Sequence, residues 1–240
     1  MHSERGRLIL LPTTLGETTD PLQVLPLRIR EEILRLDIYI VENEKTARRR
    51  IKTLAPEKSQ PALKFYQLNK HTAPEEIPDF LSACREGKDI GLMSEAGCPG
   101  VADPGAEVVR LAHEQNIQVI PLVGPSSILL ALMASGMNGQ SFAFHGYLPI
   151  DKNERRNQIK FLEKTSGEKG QAQIFIETPY RNNRLLEELV RTLHPSCRLC
   201  IAWDLTLPTE NIVSKPVARW NLSEFDLHKK PAIFILQKES

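Results

Sequence analysis

The chain has little of what most quickly assigns a class. It has four cysteines (Cys84, Cys98, Cys197, Cys200) in 240 residues, too few and too scattered for a disulfide framework. Cys197-x-x-Cys200 has the spacing of a metal or redox pair, yet no second Cys or His pair stands at zinc spacing. It reads as two cysteines at a strand entrance, and no metal is expected. No apolar run approaches the ~20 residues that span a bilayer. The opening Met1-His2-Ser3-Glu4-Arg5-Gly6 lacks the apolar core of a signal peptide. A cytoplasmic protein with no membrane contact is expected. The formal net charge is only +1, so no global field steers the chain to nucleic acid, and any RNA contact must be local. No GxGxxG follows the first strand, which disfavours a Rossmann dinucleotide site and the methyltransferases built around that loop. There is no internal repeat and no low-complexity segment.

What remains is ordinary globular material, 41% apolar and 25% charged, in a length that suits one large domain or two small ones. The most distinctive stretch is Gly91–Gly105, GLMSEAGCPGVADPG. An apolar strand ends there and a helix follows, with Val108, Leu111 and Ala112 on one face. Ala96, Gly97 and Gly100 admit a ligand close to the backbone, and Pro99 and Pro104 stiffen the loop. A loop at the carboxyl end of a strand is where open α/β sheets place ligands.

Five strands alternate with helical segments in the first half: Arg7–Leu11, Asp37–Val41, Lys64–Gln67, the run ending at Met93, and Ile117–Leu122. That alternation predicts a parallel five-stranded sheet. One helix is expected from Pro21 to Leu36, kinked or delayed by Pro26, and another over Glu75–Glu86. Arg48, Arg49, Arg50 and Lys52 follow the second strand as a solvated face, with phosphate contact as the alternative. If the substrate is RNA, the candidate contacts are these four with Arg155 and Arg156 on another helix; Arg48 and Lys52 share a side, so Arg49 and Arg50 should matter less. Gly124-Pro125-Ser126-Ser127 puts hydroxyls at a helix start, either to cap the helix or to bind an acceptor group. His145 is a hydrogen-bonding residue or an acid–base group. Strands at Gln171–Glu177, Arg198–Trp203, Ile212-Val213 and Ala232–Leu236, the last as an edge, make a mixed second sheet. Two α/β domains are therefore expected, residues 1–123 and 124–240. Carboxylates at strand ends, Glu95, Asp103, Glu177, Asp204 and Glu210, are candidate proton acceptors. For Asp103, before Pro104-Gly105, a loop-bracing role is expected.

These segments, taken together and in order, resemble the tetrapyrrole methylase superfamily, and within it the ribosomal small-subunit RNA methyltransferase I group. Leu11-Pro12-Thr13-Thr14-Leu15-Gly16-Glu17 is similar to the family's VPTPIGN. Ser94–Pro99 with Asp103-Pro104-Gly105 is similar to SDAGTP…DPG, and Pro121–Ser127 to PLPGPCAA. Phe144, Gly146, Tyr147, Leu148 and Pro149 match F…GFLP, and Ile176–Arg181 looks like YESTHR. In the segment similar to RELTK, the family's Arg and Lys are Trp203 and Leu207 here. The resemblance implies two α/β domains with S-adenosylmethionine in the cleft between them, and a homodimer. It implies cofactor contacts at Pro12, Ser94, Glu95, Ala96, Gly97, Val101, Ser126, Ser127, Phe144, Tyr147 and Leu148. It implies methylation of a ribose 2′-hydroxyl of small-subunit ribosomal RNA, with Glu177 and Glu210 as the substrate-side carboxylates. A tetrapyrrole or other small-molecule acceptor, or a binding module that has lost catalysis, are the alternatives.

Overall fold

The computed structural model describes residues 5–238. Met1–Glu4, the start of the segment read above as lacking a signal core, lie outside that range. The chain divides into two compact units, one ending at Ser126 and the other beginning at Ser127.

The first unit is built on β1 (Leu8–Leu11), β2 (Ile38–Val41), β3 (Lys64–Gln67), β4 (Ile90–Met93) and β5 (Val119–Pro121). Their order is β3-β2-β4-β1-β5, and every pair is parallel. The inner strands are apolar on both faces because helices cover both: Leu8, Ile9, Leu11, Ile40 and Ile90 are fully buried. After β1 come α1 (Pro21–Val24) and α2 (Leu27–Arg35), and after β2 comes α3 (Glu44–Leu54). The helices α2 and α3 pack with Ile9, Leu11, Tyr39, Val41 and Met93. The helices α4 (Ile77–Phe80), α5 (Ser82–Arg85) and α6 (Ala106–Glu114) pack with Leu8, Ile40, Ile90 and Leu92 on the opposite face. The chain thus leaves β1 and β2 toward one face and β4 toward the other. Since β4 lies between β1 and β2, both its flanks are topological switch points, where loops diverge and leave a crevice.

Local chemistry sets the breaks. Asp20 caps α1 by accepting from Leu22 N–H at 3.0 Å, with Pro21 at the first helical position. Pro26 divides the expected single helix into α1 and α2. The helix expected over Glu75–Glu86 is broken into a 3₁₀ turn at Pro74–Glu76, then α4, then α5. Pro78 lacks the N–H that one continuous ladder would use.

The second unit is a mixed sheet of β6 (Phe142–Tyr147), β7 (Ala172–Ile176), β8 (Arg198–Trp203), β9 (Asn211–Pro216) and β10 (Ala232–Gln237). Its order is β6-β7-β10-β8-β9, with β6 and β7 parallel and the other pairs antiparallel. The C-terminal strand is not an edge. It is the middle strand, between β7 and β8, and its Ala232–Leu236 run is buried throughout. A strand covered on both faces has no polar alternation. The helices α8 (Lys152–Lys169) and α9 (Asn182–Thr192) bury Ile159, Leu162, Leu185, Leu186 and Leu189 against Phe175 and Phe234. The helix α7 (Ser127–Ser135) packs on β8, β9 and β10, where Ser214 Oγ donates to the Ser135 carbonyl at 2.6 Å. Cys197 joins the α8/α9 core with Leu199 and Ile201, so Cys200 faces the other way by strand alternation. Burial pushes the Cys200 thiol up to about 12. The two thiols share neither a face nor a ligand position.

Candidate functional site

The crevice at the β1/β4 boundary is stitched by short side chains. Thr13 N–H donates to the Gly97 carbonyl at 2.9 Å, and Thr13 Oγ1 donates to the Ser94 carbonyl at 3.3 Å. Ser94 Oγ donates to the Gly97 carbonyl at 2.7 Å. Thr13 and Ser94 are buried, so these bonds are shielded from water. Gly97 holds φ at +73°, and a Cβ there would lie 3.1 Å from both Leu15 Cδ2 and the Pro125 carbonyl oxygen. A Cβ on Gly124 would lie 2.0 Å from Pro12 Cβ. Three loops, leaving β1, β4 and β5, therefore pack closely at these two glycines, and larger residues would part them. Cys98 Sγ donates to the Pro125 carbonyl at 3.4 Å. Asp103 Oδ1 accepts from Gly100 N–H at 2.6 Å and Gly105 N–H at 3.1 Å, which closes the β4 loop on itself.

Two charged residues sit against this loop: Glu42, which the sequence did not single out, and Arg50 of the basic cluster. Glu42, at the end of β2, accepts from the Glu95 N–H; burial first, then Asp103 and Glu95, hold its carboxyl above the usual range. Asp103 is raised by burial against its two N–H bonds. Glu42 and Asp103 line a small pocket of about 10 Å³ with Leu68, Leu92 and Met93, room for about one water. Arg50 donates to the Glu95 carbonyl and, at 3.1 Å, to Thr14 Oγ1. Its Nε is buried without a partner, and burial lowers its pKa. Arg49 and Arg50 line a pocket of about 210 Å³ with Thr13, Thr14, Thr18 and Thr53. Arg48 and Lys52, the pair expected to meet phosphate, lie away from this pocket. Arg48 is occupied by Glu44, the Gln60 carbonyl and the Phe65 ring, and Lys52 by the Pro56 carbonyl. The helix rotation that brings Ala47, Ile51 and Leu54 inward turns Arg49 and Arg50, not Arg48 and Lys52, to the strand ends. A strand-end glutamate beside the organising loop was the available signal for Glu42, but it needs the neighbouring order β2-β4 to be read.

Of the expected cofactor residues, Pro12, Ser94, Glu95, Ala96, Gly97 and Val101 gather at the β1 and β4 ends, and Ser126 follows Pro125, whose carbonyl faces Gly97. Ser127, Phe144, Tyr147 and Leu148 belong to the second unit. There Ser127 starts α7, Phe144 is half-buried, Tyr147 is exposed, and Leu148 is buried in the α8/α9 core. The strand β6 is irregular between Phe144 and Tyr147, where Gly146 has φ +65°. His145 Nε2 is 2.7 Å from Gln173 Oε1.

The proposed carboxylates also lie in the second unit. Glu177 is buried, accepts from Thr178 N–H at 2.6 Å, and pairs with Arg181 at 2.6 Å. Glu210 is exposed and accepts from Thr206 N–H at 2.7 Å. Between them in sequence, buried Asp204 accepts from Thr209 Oγ1 at 2.9 Å. Asp204 and Thr206 have φ of 52° and 69°, a strained left-handed geometry for non-glycine residues. Trp203, where the resemblance expects Arg, is buried edge-on to Phe225.

The family described as Tetrapyrrole (Corrin/Porphyrin) Methylases matches residues 22–220. The chain belongs to the tetrapyrrole methylases. This methylase is 27% identical over 238 residues to Ribosomal RNA small subunit methyltransferase I of Escherichia coli, covering 98% of this chain and 79% of that one. It is 29% identical over 232 residues to the protein of the same name from Vibrio cholerae, covering 95% and 76%. Its fold is similar to that of uroporphyrin-III C-methyltransferase from Thermus thermophilus complexed with S-adenyl homocysteine. That likeness has a TM-score of 0.56 and 18% identity, over 97% of this chain and 98% of that chain. Among the described residues, no helix is long and apolar enough to cross a membrane.

Proposed function

We infer that this methylase transfers a methyl group from S-adenosylmethionine to small-subunit ribosomal RNA, with a ribose 2′-hydroxyl as the acceptor. The observation that carries the reading is the β1/β4 junction, where Gly97 and Gly124 let three loops pack closely beside a stiff, proline-bounded loop. Such a site fits an adenosyl group, because small residues let a ligand come close to the backbone of the β4 loop. RNA is favoured over a tetrapyrrole because the relatives named for ribosomal RNA are 27% and 29% identical, against 18% for the tetrapyrrole enzyme.

S-adenosylmethionine supplies a methyl carbon on a sulfonium, so the chain's own task is positioning and a destination for the hydroxyl proton. The residues assigned to hold the cofactor are Pro12, Ser94–Gly97, Val101, Ser126, Ser127, Phe144, Tyr147 and Leu148. Thr13 and Ser94 keep the loop in its closed form by their shared carbonyl at Gly97. Glu177 and Glu210 are assigned as the carboxylates that meet the substrate, both following strands or strand-end loops of the second unit. Arg181 fixes Glu177, and the Thr206 N–H fixes Glu210. The test is methyl transfer from labelled S-adenosylmethionine to small ribosomal subunits taken from a methylation-deficient strain. Label in the RNA is expected. Label in uroporphyrinogen and not in RNA would establish the small-molecule reading instead, and label in neither would leave a binding module.

A cytoplasmic homodimer completes the reading. The helix α7 is apolar nearly all round and leaves Leu129 and Met133 exposed, and β6 is an open sheet edge with Phe142 and Tyr147 exposed. Exposed apolar surface of this kind marks an association face. Light scattering across a concentration series is expected to give twice the chain mass, and Met133→Lys is expected to shift the protein toward monomer. A monomer mass throughout for the unsubstituted protein would overturn the dimer.

A further inference from the structure

We propose that the groove between α8 and α9 is a phosphodiester-binding surface for RNA, formed by Lys152, Arg156 and Arg184. This rests on the reading of the protein as an RNA methyltransferase and goes beyond it by assigning where the RNA backbone is held. The groove has a volume of about 280 Å³ and is lined by those three residues with Arg191, Glu187 and Glu188. Lys152 and Arg156 lie one helical turn apart on α8, and Arg184 and Arg191 two turns apart on α9, so both helices present cations to the same trough.

The two acids in the groove each face an arginine, Glu188 through Oε2 while its Oε1 is buried without a partner. Arg155 donates to Glu188 Oε2 through Nε at 2.8 Å and Nη2 at 2.6 Å, while its Nη1 donates to the Pro149 and Ile150 carbonyls at 3.1 and 2.8 Å. Arg155 is therefore a buried floor strut and not the RNA contact its sequence position beside Arg156 predicts. Glu187 stands 3.6 Å from Arg191. Lys152, Arg156 and Arg184 have no acidic partner among the described residues. In the Arg48–Lys52 cluster, by contrast, Arg48 and Arg49 are paired with Glu44 and Glu17, and Arg50 and Lys52 donate to backbone carbonyls.

In a chain of net charge +1, three unmatched cations around one concavity make a local positive field. Guanidinium groups suit phosphate oxygens, which they can grip two at a time. The lining is charged apart from Thr192 and carries no aromatic or aliphatic anchor. A protein partner would ordinarily need such an anchor, whereas a phosphate backbone needs only charge.

The experiment uses the full chain. Binding of small-subunit RNA is measured at several salt concentrations for the unsubstituted protein, for Arg156→Gln/Arg184→Gln, and for Lys160→Gln/Lys169→Gln, which removes equal charge outside the groove. The groove variant is expected to bind RNA at least about tenfold more weakly, with a salt slope shallower by about 1.4–1.8 for two lost phosphate contacts. Its KM for subunits should rise with kcat within about twofold, and its S-adenosylmethionine affinity by calorimetry should not change. Equal loss in both variants would show net charge, not the groove, and would overturn the proposal. No loss in the groove variant, against a parent that binds RNA, would overturn the groove alone. A parent that neither binds nor methylates RNA would overturn the RNA reading together with the groove.

Discussion

Gly97→Val is expected to weaken S-adenosylmethionine binding by about 100-fold or more while the first unit stays folded. A hundredfold loss is about 2.7 kcal/mol. Two costs reach that figure. A β-branched residue held at φ +73° is strained by about 1–3 kcal/mol. A Cβ 3.1 Å from the Pro125 carbonyl and Leu15 also requires one of them to give way. If the loop relieves both by swinging out, it breaks the Thr13–Gly97 and Ser94–Gly97 bonds that hold it over the β1 end. The sheet beneath does not depend on the loop: Leu8, Ile9, Leu11, Ile90 and Leu92 are buried by helices on both faces. Calorimetric titration with S-adenosylmethionine, beside a thermal melt, separates the two effects. Gly97→Ala should show a smaller loss, since it adds the Cβ without branching. Unchanged affinity in the valine variant would place the cofactor away from this loop, and a collapsed melt would mean that the loop is structural first.

Arg155→Ala is expected to destabilise the second unit by about 3–5 kcal/mol, the usual cost of removing one partner from a buried ion pair. The Arg155 side chain is 6% exposed and that of Glu188 12%. The truncation leaves that carboxylate buried and uncompensated, with Oε1 already lacking a partner. It also frees two carbonyls, of Pro149 and Ile150, that tie the exit from β6 to α8. For a protein of this length the melting transition should fall by about 6–20 °C. Arg155→Met with Glu188→Leu should recover most of the loss, because a packed apolar pair replaces both charges without desolvating either. A loss under about 1 kcal/mol in the single variant would mean that Arg155 is solvated and belongs with Arg156 as a surface cation.

Much of the architecture was legible in the residues. The apolar runs at Leu8–Leu11, Ile38–Val41 and Ile90–Met93, set between helical periodicities, were enough for a parallel sheet. The turn at Asp20-Pro21, the break at Pro26 and the loop after Met93 are local chemistry, and sequence carries local chemistry directly. The Pro12, Ser94–Gly97 and Gly124–Ser127 segments stood out because glycine, proline and small hydroxyl residues are punctuation that ordinary helices and strands do not contain.

The amino-acid order by itself determined which segments are strands and helices, which loop is stiff and small enough to admit a ligand, and which family the motifs follow. The tertiary structure alone decided that β4 lies between β1 and β2, that β10 is central, that Arg50 and Glu42 close on Glu95, and that Arg155 is buried while Arg156 is not. The physical reason is range. Capping, turn geometry and hydrophobic periodicity act over a few residues and are written into neighbouring positions. Strand order and charge pairing are settled between groups such as Arg155 and Glu188, 33 residues apart, by which burial costs least once the sheet has formed.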